Sequence, residues 1–171
     1  MSSRAVPFEL VLRELRGHNF AVLSTVGESG QPQSAGVNYG VTPPGQPLAL
    51  YVMTRSHLAK ARNIARNPRI ALVVPITRKL LWFLPPATLQ LHGRAEIVSW
   101  TDAEGRRVFR RFLMGRRILA AYAQARRQGE TRVCFLRITP DPVIHTYMVG
   151  MSLWSIARDM ESGAGESMIP G

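Results

Sequence analysis

The sequence is short of cysteine and of long hydrophobic runs, and each shortage excludes a class of protein. Cys134 is the only cysteine among 171 residues, so neither an intrachain disulfide nor a cysteine-rich metal site is possible. No run approaches the roughly 20 apolar residues that a transmembrane helix needs. The first residues also lack the apolar core of a secretory signal, so we expect a cytoplasmic protein.

What the chain does contain is typical of a folded globular domain. Apolar residues make up 46% of it and charged residues only 19%, which leaves enough apolar surface for a buried core. At this length one domain is the default, and we assign residues 1–160 to it. Residues 161–171 are small and polar, and we expect them to form a flexible tail.

Positive charge dominates, with a formal net charge of +11. Such a balance favours anionic ligands, from phosphates and nucleotides to nucleic acid and lipid head groups. Phe109 and Phe112 lie among paired arginines and fit the core face of a helix better than a base-stacking platform. We therefore expect the pairs to form a solvated helix face, with nucleic acid as the less favoured partner. The pairs are Arg106-Arg107, Arg110-Arg111, Arg116-Arg117 and Arg126-Arg127.

Hydrophobic spacing predicts a mainly β chain with inserted helices. The predicted strands are Phe20–Val26, Gln33–Val41, Leu48–Met53, Arg69–Pro75, Thr88–Val98, Thr131–Thr139 and Val143–Met148. The predicted helices are Phe8–Leu15, Ser56–Asn67, one from a capping box at Thr101 and Glu104 to about Arg127 with an interruption at Gly115, and Ser152–Met160.

The arrangement of these elements favours an antiparallel barrel of six to seven strands with helices at its ends. Most successive strands lack a crossover helix, which argues against a parallel doubly wound sheet. The sequence also lacks the GxGxxG and GxxxxGK[ST] motifs of dinucleotide-binding and P-loop proteins. Gly93, in the middle of a predicted strand, indicates a bulge or a close approach of two backbones.

The clearest functional pattern lies between Thr54 and Val74. The strand Leu48–Met53 delivers Thr54, Arg55 and Ser56 at its carboxyl end, and a basic helix that carries Lys60 follows. Hydroxyls, cations and the backbone N–H groups of a helix start together form an anion cradle, although Ser56 could also simply cap the helix. Phosphate is the obvious anion, which points to a phosphorylated cofactor.

The order of these segments resembles a known family. A helix is followed by FAVLSTV, the turn GESGQPQ, the strands SAGVNYGV and LALYVMT, then TRSHLAKARNIARNPRIALVV and LQLHGRAEIV. This resembles the pyridoxamine 5'-phosphate oxidase-like split β-barrels, which bind FMN or the related 8-hydroxy-5-deazaflavin coenzyme. The resemblance implies a homodimer with cofactor sites between the protomers. It also implies a flavin-dependent oxidoreductase that acts on a small organic substrate.

The same resemblance assigns roles to individual residues. Met53 and Thr54 are implied to face the flavin ring, and Lys60 has the spacing of the family's phosphate-binding lysine, with Arg55 and Ser56 beside it. Five further residues are implied to approach the cofactor, namely Val37, Asn38, Tyr39, Gln90 and Trp154.

The sequence also departs from the family, and several alternatives stay open. Leu58 and Ala59 replace a common Ser-Arg pair, and the end of the chain lacks an Arg-x-His motif for pyridoxal phosphate chemistry. No residue is assigned as catalytic and no metal site is expected. The alternatives to an FMN enzyme are a deazaflavin-dependent reductase and a non-enzymatic flavin or haem binding protein. The apolar segment LLWFLPPA is expected in the core or at a dimer contact, with a pocket flap or a lipid contact as alternatives.

Overall fold

The computed structural model describes residues 4–77, 87–151 and 163–170. The helices in these residues are α1 (Phe8–Gly17), α2 (Ala59–Arg66), α3 (Ala103–Arg110) and α4 (Leu113–Arg127). The strands are β1 (Arg4–Ala5), β2 (Phe20–Val26), β3 (Pro32–Val41), β4 (Leu50–Arg55), β5 (Arg69–Ile76), β6 (Ala87–Ser99), β7 (Val133–Tyr147) and β8 (Ala164–Met168).

Six strands close into an antiparallel barrel in the order β2, β3, β4, β7, β6 and β5, with β5 returning to β2. Outside this ring, β8 pairs antiparallel with the second half of β7, and β1 pairs parallel with β8. The predicted mainly β split-barrel fold is therefore confirmed. Within the described residues, no helix is long and apolar enough to cross a membrane.

Strand β7 is a single element of 15 residues, so the prediction of two strands separated by a Pro140–Pro142 turn is wrong. One edge of β7 pairs with β4 through Val133–Ile138 and with β8 through Val143–Tyr147. Both prolines fall between these two partners. A proline differs from other strand residues in having no N–H to donate to a neighbouring strand. On the edge that faces β4 and β8, residues 139–142 have no strand partner among the described residues, so both prolines are tolerated and β7 continues through them.

The irregularity predicted at Gly93 is confirmed. The pairing of β6 with β7 shifts register between Leu91 and Gly93. A Cβ at Gly93 would collide with the carbonyl oxygen of Thr139 and would lie 2.9 Å from the Pro140 Cα. Only a residue without a side chain allows the two backbones to come this close.

The core lies in two places. Inside the barrel, α1 closes one end with Val11 and Leu15, which are fully buried, and the Tyr39 hydroxyl donates to the Leu15 carbonyl at 2.9 Å. On the outside, the α3–α4 hairpin covers β4 and β7, where Tyr51 and Phe135 are buried. The Tyr51 hydroxyl donates to the Glu104 carboxylate and so ties α3 to β4.

Two predicted boundaries around the cradle are wrong. Strand β4 ends at Arg55 and not at Met53, because the backbones of Thr54 and Arg55 pair with Cys134 and Val133. Helix α2 begins at Ala59 with Leu58 as its cap position, so Ser56 does not cap it. The Ser56 N–H instead donates to the Arg132 carbonyl at 2.8 Å.

Other boundaries also differ. The cap of α3 is Asp102, whose carboxylate accepts from the Gly105 N–H at 2.7 Å, so the capping box from Thr101 is wrong. The helix breaks between Arg110 and Leu113 and not at Gly115. Residues 164–168, expected in a flexible tail, form β8. The predicted helix Ser152–Met160, with Trp154, and nearly all of LLWFLPPA lie outside the described residues.

Replacing Gly93 tests the close backbone contact. We expect Gly93→Ala to lower the free energy of unfolding by about 2 kcal/mol or more, because a Cβ would push β6 away from β7. Gly17→Ala is the matched control, since nothing lies within 4 Å of the new Cβ. Urea denaturation of both variants measures the difference, and equal stability of the two would contradict the contact.

Candidate functional site

A cavity of about 230 Å³ lies on the outer face of β3 and β4. The start of α2 borders it on one side and α4 on another. Its lining residues are Gly36, Val37 and Asn38 from β3, Met53 and Thr54 from β4, Leu58 and Lys60 at α2, and Ile118 and Tyr122 from α4. Four residues predicted for a cofactor site, Asn38, Met53, Thr54 and Lys60, therefore lie together.

The position of Lys60 is set by a buried amide in α2. The Asn63 side chain, only 2% exposed, donates to the Thr25 hydroxyl and to the Gln33 side-chain oxygen, both at 2.9 Å. It also accepts from Arg66 at 3.0 Å. These bonds fix the rotation of α2 against β2 and β3. Since residues three apart share a helix face, Lys60 is held on the side that borders the cavity.

Thr54 lines the cavity from β4, next to Met53. It is 1% exposed, and its hydroxyl makes no hydrogen bond to any residue that the structure describes. A buried hydroxyl without a partner costs about 1–3 kcal/mol, and such groups are rare in folded proteins. Side chains alternate between the two faces of a strand, and Leu50 and Val52 pack in the core inside the barrel, so the Thr54 hydroxyl lies on the inner face of β4 and Met53 on the outer face.

The donors around this point suit a phosphate. Lys60 lines the cavity at the start of α2, and the first backbone N–H groups of any helix have no intrahelical acceptor. An anion at a helix start is further stabilised by the helix dipole. The residues present therefore fit the phosphate of a cofactor, even though Leu58 and Ala59 provide no polar side chain.

Arg55 does not line the cavity. Its Nε lies 3.4 Å from a Glu130 carboxylate oxygen, and its guanidinium carbon lies 5.4 Å from the centre of the Tyr122 ring. Hydrogen bonds from Arg132 lower the pKa of Glu130 to about 2, so this carboxylate is ionised near neutral pH and balances Arg55. Arg55 thus packs against the ring of Tyr122, and Tyr122 in turn lines the cavity.

Two other predicted site residues that the structure describes do not line the cavity within one chain. Ser56 is exposed and does not line it. Gln90 is exposed on β6, which pairs with β5 and β7 and not with β3 or β4. Trp154 lies outside the described residues. No group of histidine, cysteine and acidic side chains that could hold a metal occurs in the described part of the chain.

Sequence reasoning missed the wall formed by α4. Ile118 and Tyr122 are four residues apart and therefore share one face of the helix. The spacing in the sequence is typical of a helix face that packs against another element, but it does not indicate that this face covers β3 and β4. Burial raises the pKa of the Tyr122 phenol, so this side chain is neutral at physiological pH.

Comparison with known proteins identifies a family but no close relative. The sequence profile of pyridoxamine 5'-phosphate oxidase matches residues 9–147. No curated protein matches the sequence.

Solved structures of similar fold include proteins named for haem and for FMN. The haem storage protein HutZ of Vibrio cholerae shares 18% identity at a TM-score of 0.59, over 81% of this chain and 94% of that one. A pyridoxamine 5'-phosphate oxidase-related, FMN binding protein of Nostoc punctiforme shares 14% at 0.57, over 82% and 81%. A haem binding protein of Mycobacterium smegmatis shares 18% at 0.60, over 78% and 51%.

Replacing Thr54 by valine tests whether its hydroxyl is unpaired in the ligand-free protein. Valine keeps the shape but removes the buried polar atom, so we expect Thr54→Val to raise the free energy of unfolding by about 1 kcal/mol. Thr146→Val gives the scale, because the Thr146 hydroxyl is also buried without a partner but lies away from the cavity. Loss of stability in Thr54→Val, measured by urea denaturation, would show that its hydroxyl is already bonded.

Proposed function

Because the chain belongs to the pyridoxamine 5'-phosphate oxidase family, we propose that it is an FMN-dependent oxidoreductase acting on a small organic substrate. The observation that carries the proposal is that Lys60, at the start of α2, lines one cavity together with Asn38, Met53 and Thr54. A phosphate at this place would be balanced by the lysine charge and would accept hydrogen bonds from the first backbone N–H groups of α2.

In this proposal the residues of the cavity bind, orient and shield. Lys60 and the start of α2 hold the phosphate, and Asn38, Met53 and Thr54 flank the rest of the coenzyme along β3 and β4. Ile118 and Tyr122 exclude water from the side of α4. Bound FMN supplies the ring that accepts or donates hydride, so the protein needs no acid–base pair of its own for that step.

A second copy of the chain would complete the site. The cavity of about 230 Å³ is smaller than the roughly 300–1,000 Å³ of most small-molecule sites. Phe20 is 48% exposed at its rim, where its ring contacts Gly36. Gln90 is exposed on a part of the barrel that its own cavity does not reach. We infer a homodimer in which such exposed residues meet the cavity of the partner.

Two alternatives are each favoured by a separate observation. The paired arginines belong to α3, α4 and the junction between them, and α4 also carries the cavity residues Ile118 and Tyr122; these arginines would accept the polyglutamate tail of the deazaflavin coenzyme. A haem-binding role would follow the naming of two proteins of similar fold. Among the described lining residues, only Met53 and Tyr122 are of types that ligate haem iron.

Titration of FMN into the purified protein, followed by quenching of flavin fluorescence, tests the proposal. We expect Lys60→Ala to weaken binding by about tenfold, because a charge-assisted contact is lost. Arg62→Ala removes the same charge from an exposed position of the same helix and should change binding by less than about twofold.

Three results would contradict the FMN assignment. Equal weakening by Lys60→Ala and Arg62→Ala would indicate general charge attraction without a phosphate site. Tighter binding of the deazaflavin coenzyme than of FMN would favour the first alternative. Binding of haemin with a shifted Soret band, without any binding of FMN, would favour the second.

A further inference from the structure

A second cavity, of about 350 Å³, lies at the C-terminal end of β3. It is bounded by the C-terminal end of α1, by the last residues of β3 and by the junction of α3 with α4. We propose that this cavity binds a small organic oxyanion, a carboxylate or a phosphate carried on an apolar body. Its volume falls within the range of about 300–1,000 Å³ that is usual for small-molecule sites.

Two guanidinium groups form the polar wall of this cavity. Arg16 and Arg111 both line it, and the lining contains no carboxylate. The Arg16 Nη2 donates to the Thr42 carbonyl at 3.1 Å, which holds the group at the wall. Neither arginine forms an ion pair with any residue that the structure describes. His18 also lines the cavity, but Glu14 lies 3.9 Å from its ring nitrogen.

The positive charges of Arg16 and Arg111 repel each other. Burial lowers the pKa of the Arg16 guanidinium, the charge of Arg111 lowers it further, and Glu9 raises it in part. The fold therefore keeps two exposed guanidinium groups close enough to repel each other, with no carboxylate among the described lining residues of the cavity. An oxyanion between them would relieve this repulsion, and a guanidinium matches carboxylate and phosphate geometry with paired N–H donors.

One wall of this cavity is apolar and closely packed. Val41, Val108 and Phe112 line the cavity. The absence of a side chain at Gly40 brings this wall together, since a Cβ there would lie 2.5 Å from Val108 Cγ1 and 2.9 Å from the Phe112 ring. Such a surface suits an aromatic or aliphatic body attached to the anionic group.

This cavity is separate from the proposed FMN site. The two cavities share no lining residue. Between them, the Phe112 ring lies against Gly40 on β3, and a Cβ at Gly115 on α4 would come within 2.7 Å of that ring. The inference therefore goes beyond the proposed function, and each can fail without the other.

Isothermal titration of phenyl phosphate and of benzoate into the full chain tests this inference. We expect both probes to bind and Arg111→Gln to weaken each by about tenfold. Arg110→Gln is the matched control, because Arg110 is exposed and positively charged like Arg111 but does not line the cavity. Binding should be unchanged in Arg110→Gln and in Lys60→Ala. Phenol and inorganic phosphate, which each lack one half of the ligand, should bind at least about tenfold more weakly than phenyl phosphate.

Other outcomes would overturn the inference. Equal loss in Arg110→Gln would show that the probes respond only to the net charge of the surface. Loss in Lys60→Ala would place the probe in the FMN cavity. No heat of binding for either probe at millimolar concentration would show that the cavity does not select this chemistry. Arg16→Gln, as a second variant, must weaken the same probes as Arg111→Gln does.

Discussion

The close contact between the backbones of β6 and β7 at Gly93 is the constraint on which the barrel depends. Strand β7 pairs with β6 along one edge and with β4 and then β8 along the other. A residue with a side chain at Gly93 would separate β6 from Thr139 and Pro140 and open the ring at that point. Closure in turn places β4 against β7, and this pairing buries Thr54 in the ladder beside Cys134. The position of Thr54 beside the candidate site therefore depends on the backbone contacts that β7 makes with β6 along its other edge.

The two sides of the proposed phosphate site are held by independent parts of the fold. Met53 and Thr54 are fixed by the β4–β7 ladder, whereas Lys60 is fixed by the hydrogen bonds of Asn63 to β2 and β3. The rotation of α2 therefore sets the position of the lysine, and closure of the barrel sets the position of the strand beside it.

The sequence predicted the elements whose signals are local and missed those that depend on distant partners. Alternation of buried and exposed residues located β2 and β5 almost to the residue, and Gly93 marked the bulge. The Pro140–Pro142 segment has the composition of a turn, and only the positions of β4 and β8 explain why it continues a strand. The spacing of Thr54 and Lys60 predicted their proximity. The exclusion of Arg55 could not be predicted, because Glu130 reaches it from a distant part of the sequence.

The distribution of basic residues separates general charge from a built site. Arginine occupies 20 of the 22 basic positions, and the two lysines are Lys60 and Lys79. The proposed FMN cavity has Lys60 and no arginine among its described lining residues, whereas the second cavity is lined by Arg16 and Arg111. An ammonium is a compact point charge that fits beside a phosphate at a helix start, whereas a guanidinium needs the wider, planar approach that the second cavity offers. The surplus of positive charge therefore accounts for attraction of anions to the surface, and the choice of cation at each cavity accounts for where a given anion binds.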